Sequence, residues 1–254
     1  MRLLNTFTAP VLLAGLLATG VCAHDLWVNA SESGTSLTAE LGYGHDFPVA
    51  EAIAEDRVHI FPPMKVFGSG ESVEMIQEGE NYRYVLPEGV APGTYYVAAT
   101  YRPTYWTRNP AGWRQATKRD VLGALYCSQA QMFGKRLLIA GDAVLDETQM
   151  TSPVGHQLEL IPHTAVSYSS DQSIEIVVLF NGEPLAAAEA EIFFRKGEGE
   201  LESRKIKADP SGRLALVPGS AGEFLIKVSH QEDYPDKRVC DYHTYAATLT
   251  FSIP

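Results

Sequence analysis

Polar and apolar residues alternate in short runs along most of this chain. In HDLWVNA, the side chains of His24, Leu26 and Val28 fall on one face of an extended strand. Those of Asp25, Trp27 and Asn29 fall on the other. SLTAEL, RVHIF, NYRYVL and TYYVAATY read as further strands, separated by Gly, Pro and acidic turns. The last third of the chain is clearer. SIEIVVLF leads through the turn signal NGEPL into EAEIFFR, then a polar loop, SRKIKA, the tight turn DPSGR, LALV, GEFLIKVSH and AATLTFSIP. Short strands at this spacing predict an all-β fold built of two immunoglobulin-like or transthyretin-like β-sandwich units. LPEGVAPGTYYVAATY and LVPGSAGEFLIKVSH echo each other, each passing from a Pro/Gly turn into an aromatic-led strand.

The predicted divisions are 1–23, a leader; 24–165, an N-terminal β domain; and 166–254, a C-terminal sandwich. Residues 102–150 stand apart. RPTYWTRNPAGWRQATKRD is aromatic and basic, and reads as a partly irregular connecting arm or as a docking surface, since aromatics and Arg favour interfaces. SQAQMFGKRLLIAG reads as carrying a short helix.

The leader prediction rests on three parts: Arg2, the apolar run APVLLAGLLA, and Val21-Cys22-Ala23 before His24. Cleavage after Ala23 would make His24 the first residue of an exported, periplasmic protein. Cys22 offers a rival reading, a lipid anchor, but Thr19 and Val21 stand in the reverse of the order a lipobox requires. No later segment approaches ~20 continuous apolar residues, so no membrane span is expected in the mature chain.

Charge narrows the partners. The 254 residues carry a formal net charge of −11, and losing Arg2 with the leader makes it more negative still. Such a balance argues against nucleic acid and against anionic membranes. Of three cysteines, Cys127 and Cys240 lie outside the leader. In an oxidising compartment they read as one disulfide; the alternative makes Cys240 a thiolate ligand.

Seven histidines are present: His24, His45, His59, His156, His163, His230 and His243. None forms a local metal-binding motif, so any site must be assembled from distant strands. His24 differs by position. A free terminal amine, with a reference pKa near ~8, and the imidazole of the same residue close a chelate ring on one ion. Nickel, cobalt, copper and zinc all suit such nitrogens. His45 lies in GYGHDFPV, where Gly42 and Gly44 read as permitting a sharp turn. His230 and His243 read as strand-end residues that could add a donor, with Cys240 and Asp241 near the latter. His59 reads as a solvent-facing strand residue, and His156 and His163 flank QLELIP. No G-x-S-x-G and no Gly-rich phosphate loop is found, so the chain does not read as an enzyme.

AHDLWV, GHDFP, GHQLELIP, VVLFNGEPLAAAEAEI, DPSGR and the closing YAATLTFSIP, in this order, resemble the exported family described as the nickel uptake substrate-specific region. The resemblance spans nearly the whole mature chain. It implies a periplasmic accessory that holds nickel or cobalt and passes it to a membrane importer. It carries over only to His24 and His45; the residues themselves offer His230 or His243 as a third donor. A copper-binding histidine brace and a metal-free interaction module are the alternatives.

Overall fold

The computed structural model describes residues 24–163, 170–195, 197 and 199–253. The expected leader, and the residues around the expected 165/166 division, lie outside the described residues.

The first half contributes β1 (Asp25–Ser33), β2 (Ser36–Gly44), β3 (Lys65–Phe67), β4 (Val73–Glu74), β5 (Ile76–Gln77), β6 (Arg83–Leu86), β7 (Gly93–Asn109), β8 (Gly112–Arg114) and β9 (Tyr126–Ala140). The second contributes β10 (Leu158–Pro162), β11 (Ile174–Phe180), β12 (Glu183–Pro184), β13 (Glu189–Arg195), β14 (Leu201–Lys207), β15 (Arg213–Leu216), β16 (Gly222–Asp233) and β17 (Tyr242–Ile253). The fold is all-β, as the alternation predicts.

Three sheets form. One runs β1-β2-β6-β5, and a second joins β10, β11, β12 and β15. The third is large and runs β14-β13-β16-β17-β9-β7-β3-β4, with β8 on β7. Its middle is the parallel pairing of β17 with β9, which joins strands from the two halves of the chain. Successive side chains on a strand point to opposite faces, so this sheet feeds two cores. From β7 and β9, Tyr96, Phe133 and Leu137 enter a core with Leu160, Ile176 and Phe251. Val97, Ala99, Tyr101 and Met132 enter the other core with Leu26, Leu41 and Met64. Two sandwiches therefore share one central sheet.

Several local expectations change. RVHIF is not a strand: Glu55–Ile60 forms a 3-10 helix, with Glu55, Asp56 and Arg57 outside any apolar alternation. SQAQMFGKRLLIAG is not helical but the body of β9, because tertiary pairing on both sides overrides its helix-forming Leu, Lys and Arg. Most of the expected connecting arm is likewise ordinary sheet, since β7 extends to Asn109 and turns back through β8. The disulfide is present: Cys127 and Cys240 are bonded with Cα atoms 4.9 Å apart. Cys240 is thus not a thiolate ligand.

β1 has one paired edge, with β2. Its other edge is met by β17 side chains: Thr248 Oγ1 donates to the Leu26 carbonyl and Thr250 Oγ1 to the Val28 carbonyl, both at 2.6 Å. This close seat requires Gly134 on β9, where a Cβ would lie 3.2 Å from Trp27 Cα.

Candidate metal site

β1 and β2 pair from Ser33–Ser36 outward to Asp25–Gly44. One step further stand His24 and His45, directly opposite. Their ring centroids lie 4.7 Å apart, stacked at 27°. Residues two apart share a face, so Tyr43 lies beside His45, and His24 stacks on it as well, at 4.7 Å. His24 is thus held between Tyr43 and His45. It is half-buried, whereas His45 is exposed.

Below this stack lies a packed aromatic floor. Tyr43 contacts Phe61 at 5.0 Å and Tyr101 at 5.8 Å, and Phe61 meets Tyr101 edge-on at 5.3 Å. Trp106 Nε1 donates to the Tyr101 hydroxyl at 2.6 Å. Arg57, from the 3-10 helix, lays its guanidinium over Trp106 at 5.2 Å, and its charge acts on the Tyr43 phenol. Burial, more than its charged or hydroxyl neighbours, pushes the Tyr43 phenol well above its usual range. It remains a neutral hydroxyl at any physiological pH.

The glycines do not act as GYGHDFPV suggests. Gly42 lies within the extended β2 strand, not in a turn. A Cβ there would sit 1.9 Å from the Trp27 ring. Its role is to make room for Trp27, which is 1% exposed and packs edge-on against Phe47. The turn begins after Gly44. It is pinned by Asn29 Nδ2 donating to the Pro48 carbonyl at 2.7 Å, and by two bonds between Asn81 and the Ile53 backbone.

Charge around His24 is mixed. Burial lowers its pKa first, followed by His45 and Arg57, against the pull of Asp25 and Glu51. The ring therefore stays neutral near pH 7, the state that coordinates metal. Asp25 is bonded to Lys227 of β16 at 2.5 Å, yet burial outweighs that lysine and raises its pKa. This pair ties the base of the site to the central sheet.

His230 and His243 do not join this pair. Thr248 faces β1, so Tyr245 and His243, at odd separations from it, face the opposite side of the central sheet. His230, paired across from Tyr245, lies on that side too and packs on Phe180 at 4.4 Å. His243 packs on Tyr234 at 4.5 Å. The sheet itself separates them from His24. His59 is exposed on the 3-10 helix, His163 follows β10, and His156 packs on Phe133. Among the described residues, no three or more His, Cys, Asp or Glu side chains cluster as a metal site. Two imidazoles stand together, and a third donor must come from elsewhere.

Sequence reading did not single out Tyr43, Arg57, Glu51 or Lys227. Tyr43 was detectable, since it precedes His45 by two on an alternating strand. The others come from distant segments without a local signal.

No curated protein matches the chain significantly. Among solved structures, a tetra-tandem repeat from the extending region of a large adhesion protein aligns at 13% identity and TM-score 0.23, over 90% of this chain and 49% of its own. This chain thus spans about half of that repeat structure. The D0-D1 domain of Intimin aligns at 14% identity and TM-score 0.22, over 89% and 97% of the two chains. The chicken CNTN1 FN1-FN3 domains align at 11% and TM-score 0.20, over 90% and 66%. Scores this low carry no argument. The sequence family is another matter: a family model matches residues 21–232, and the chain belongs to the domain of unknown function DUF4198.

Proposed function

We propose that this chain is an exported metal-binding accessory protein that carries a divalent ion, nickel or cobalt, to a membrane importer. The observation that carries the reading is the His24–His45 pair, brought into register at the open end of a hairpin. Two nitrogens on opposite sides of one ion stand ~4 Å apart, given bonds of ~2.0–2.1 Å. Rings stacked at 4.7 Å aim their in-plane lone pairs side by side, so the exposed His45 ring must rotate out of the stack to meet the ion. Cleavage after Ala23 supplies the third nitrogen, the His24 amine. Three nitrogens leave part of the ion uncovered, so a receiving ligand can attack it; a closed four-ligand site would hold it as structure. The disulfide, and the absence among the described residues of any helix long and apolar enough to cross a membrane, accord with export to the periplasm.

A second reading follows from the donors themselves. An all-nitrogen set binds copper more tightly than nickel or cobalt, so a copper-binding histidine brace uses the same residues.

N-terminal sequencing of the exported protein comes first. Calorimetry with nickel, cobalt and copper then compares wild type, His45→Ala, and a chain with one alanine ahead of His24. Each variant is expected to lose at least ~10-fold in affinity, about 1.4 kcal/mol. Unchanged affinity in both variants rules the site out. Preference for copper, with oxygen reduction in the presence of a reductant, selects the second reading.

A further inference from the structure

The aromatic and basic segment after Tyr101 has a form that the metal reading does not use. β7 and β8 make a hairpin with Pro110 and Ala111 at its tip. The loop after Asp120 folds alongside. Asn109 Nδ2 donates to the Leu122 carbonyl at 3.1 Å, and the Leu125 N–H donates to the Arg108 carbonyl at 2.8 Å. The Cys127–Cys240 disulfide closes the base. The result is an ordered spur.

Its tip is apolar and faces water. Leu122 is 95% exposed, the most of any large hydrophobic among the described residues; Leu125 is 68% exposed and Trp113 37%. Cations lie in the same segment: Arg108 and Arg114 on the hairpin, and Lys118, Arg119 and Arg238 around the loop that carries Leu122. Asp241 holds Lys118, and Asp236 holds both Arg119 and Arg238. Asp120 accepts the Thr117 hydroxyl. Arg108 and Arg114 have no carboxylate partner among the described residues. Five cations against the carboxylates of Asp120, Asp236 and Asp241 leave this spur positive in a chain of net charge −11.

We propose that this spur, contrary to the expectation from net charge, docks reversibly on a bilayer surface bearing anionic headgroups, because the local charge and not the total meets the surface. Leu122, Leu125 and Trp113 enter the boundary between headgroups and acyl chains, while Arg108 and Arg114 meet lipid phosphates. Three apolar side chains cannot fill the ~800 Å² per partner of a standard protein interface. They suffice for interfacial attachment when cations assist. A Trp at the rim suits the polar–apolar boundary. The acidic remainder of the molecule opposes close approach, so attachment weakens with salt only where the arginines contribute.

The test uses the exported, disulfide-bonded protein, its N-terminus checked because an uncut leader would bind lipid by itself. It is sedimented with phosphatidylglycerol vesicles and with phosphatidylcholine vesicles. Binding is expected to the first and at least ~10-fold less to the second, with Trp emission quenched by brominated acyl chains. Leu122→Asp removes no packing at an exposed position and should lower partitioning at least ~10-fold. Arg114→Glu should lower it on phosphatidylglycerol alone. No preference for phosphatidylglycerol, or unchanged partitioning of Leu122→Asp, overturns the proposal.

Discussion

At the scale of single residues, the determining factor is which groups are kept from water. His156 packs on Phe133, and burial brings its pKa down to about 4. Above pH ~6.5 the ring is neutral both folded and unfolded, and it adds no pH dependence. As pH falls from there to about 4, the unfolded chain takes up a proton that the folded chain refuses. Stability should therefore decline across that window, by up to ~3 kcal/mol from this residue. His156→Gln should flatten the profile of Tm against pH between 6.5 and 4; an unaltered slope would assign the effect elsewhere. His24 was identified from the sequence by its position alone. Its neighbour Tyr43 is within reach of strand parity, but the cation Arg57 required the fold.

At the scale of elements, β1 is the piece that places the proposed site. It is an edge strand whose free carbonyls would otherwise be buried without partners. Thr250 is fully buried and donates to the Val28 carbonyl at 2.6 Å. Thr250→Val keeps the shape but leaves that carbonyl unpaired. A loss of ~1–3 kcal/mol in denaturant-unfolding stability is expected. A change near zero would mean that water or a shift of β1 replaces the bond. The strand was readable from HDLWVNA because period-two alternation is local. The threonine side chains that hold it lie in a strand more than two hundred residues away, and no local pattern marks them.

At the scale of the whole molecule, a buried ion pair joins the central sheet to the second sandwich. Lys135 of β9 is bonded to Glu159 of β10 at 2.6 Å, with both side chains almost wholly enclosed. The ammonium also lies over the Tyr96 ring at 4.3 Å. Glu159 accepts further bonds from the N–H groups of Val154, Gly155 and His156. Lys135→Met leaves a buried carboxylate unpaired and should cost ~3–5 kcal/mol of unfolding stability. Lys135→Met with Glu159→Leu should not recover it, because those three N–H groups lose their acceptor. Full recovery in the double variant would show that the loop re-satisfies itself.

The all-β class, the strand periodicity, the disulfide partners and the nearness of His24 to His45 were legible in the sequence. Each depends on a local pattern or on a small count: alternation reports a half-buried strand, and two cysteines outside the expected leader allow one pairing. The sequence alone did not decide how the strands were shared. That β7, β9 and β17 would feed two cores at once depends on pairing between residues far apart in the chain, and on Gly134 admitting β1. The same long-range pairing decided which histidines stayed apart. His24 and His45 face each other across one hairpin, while His230 and His243 lie beyond the central sheet, because strand parity sends neighbouring side chains to opposite faces.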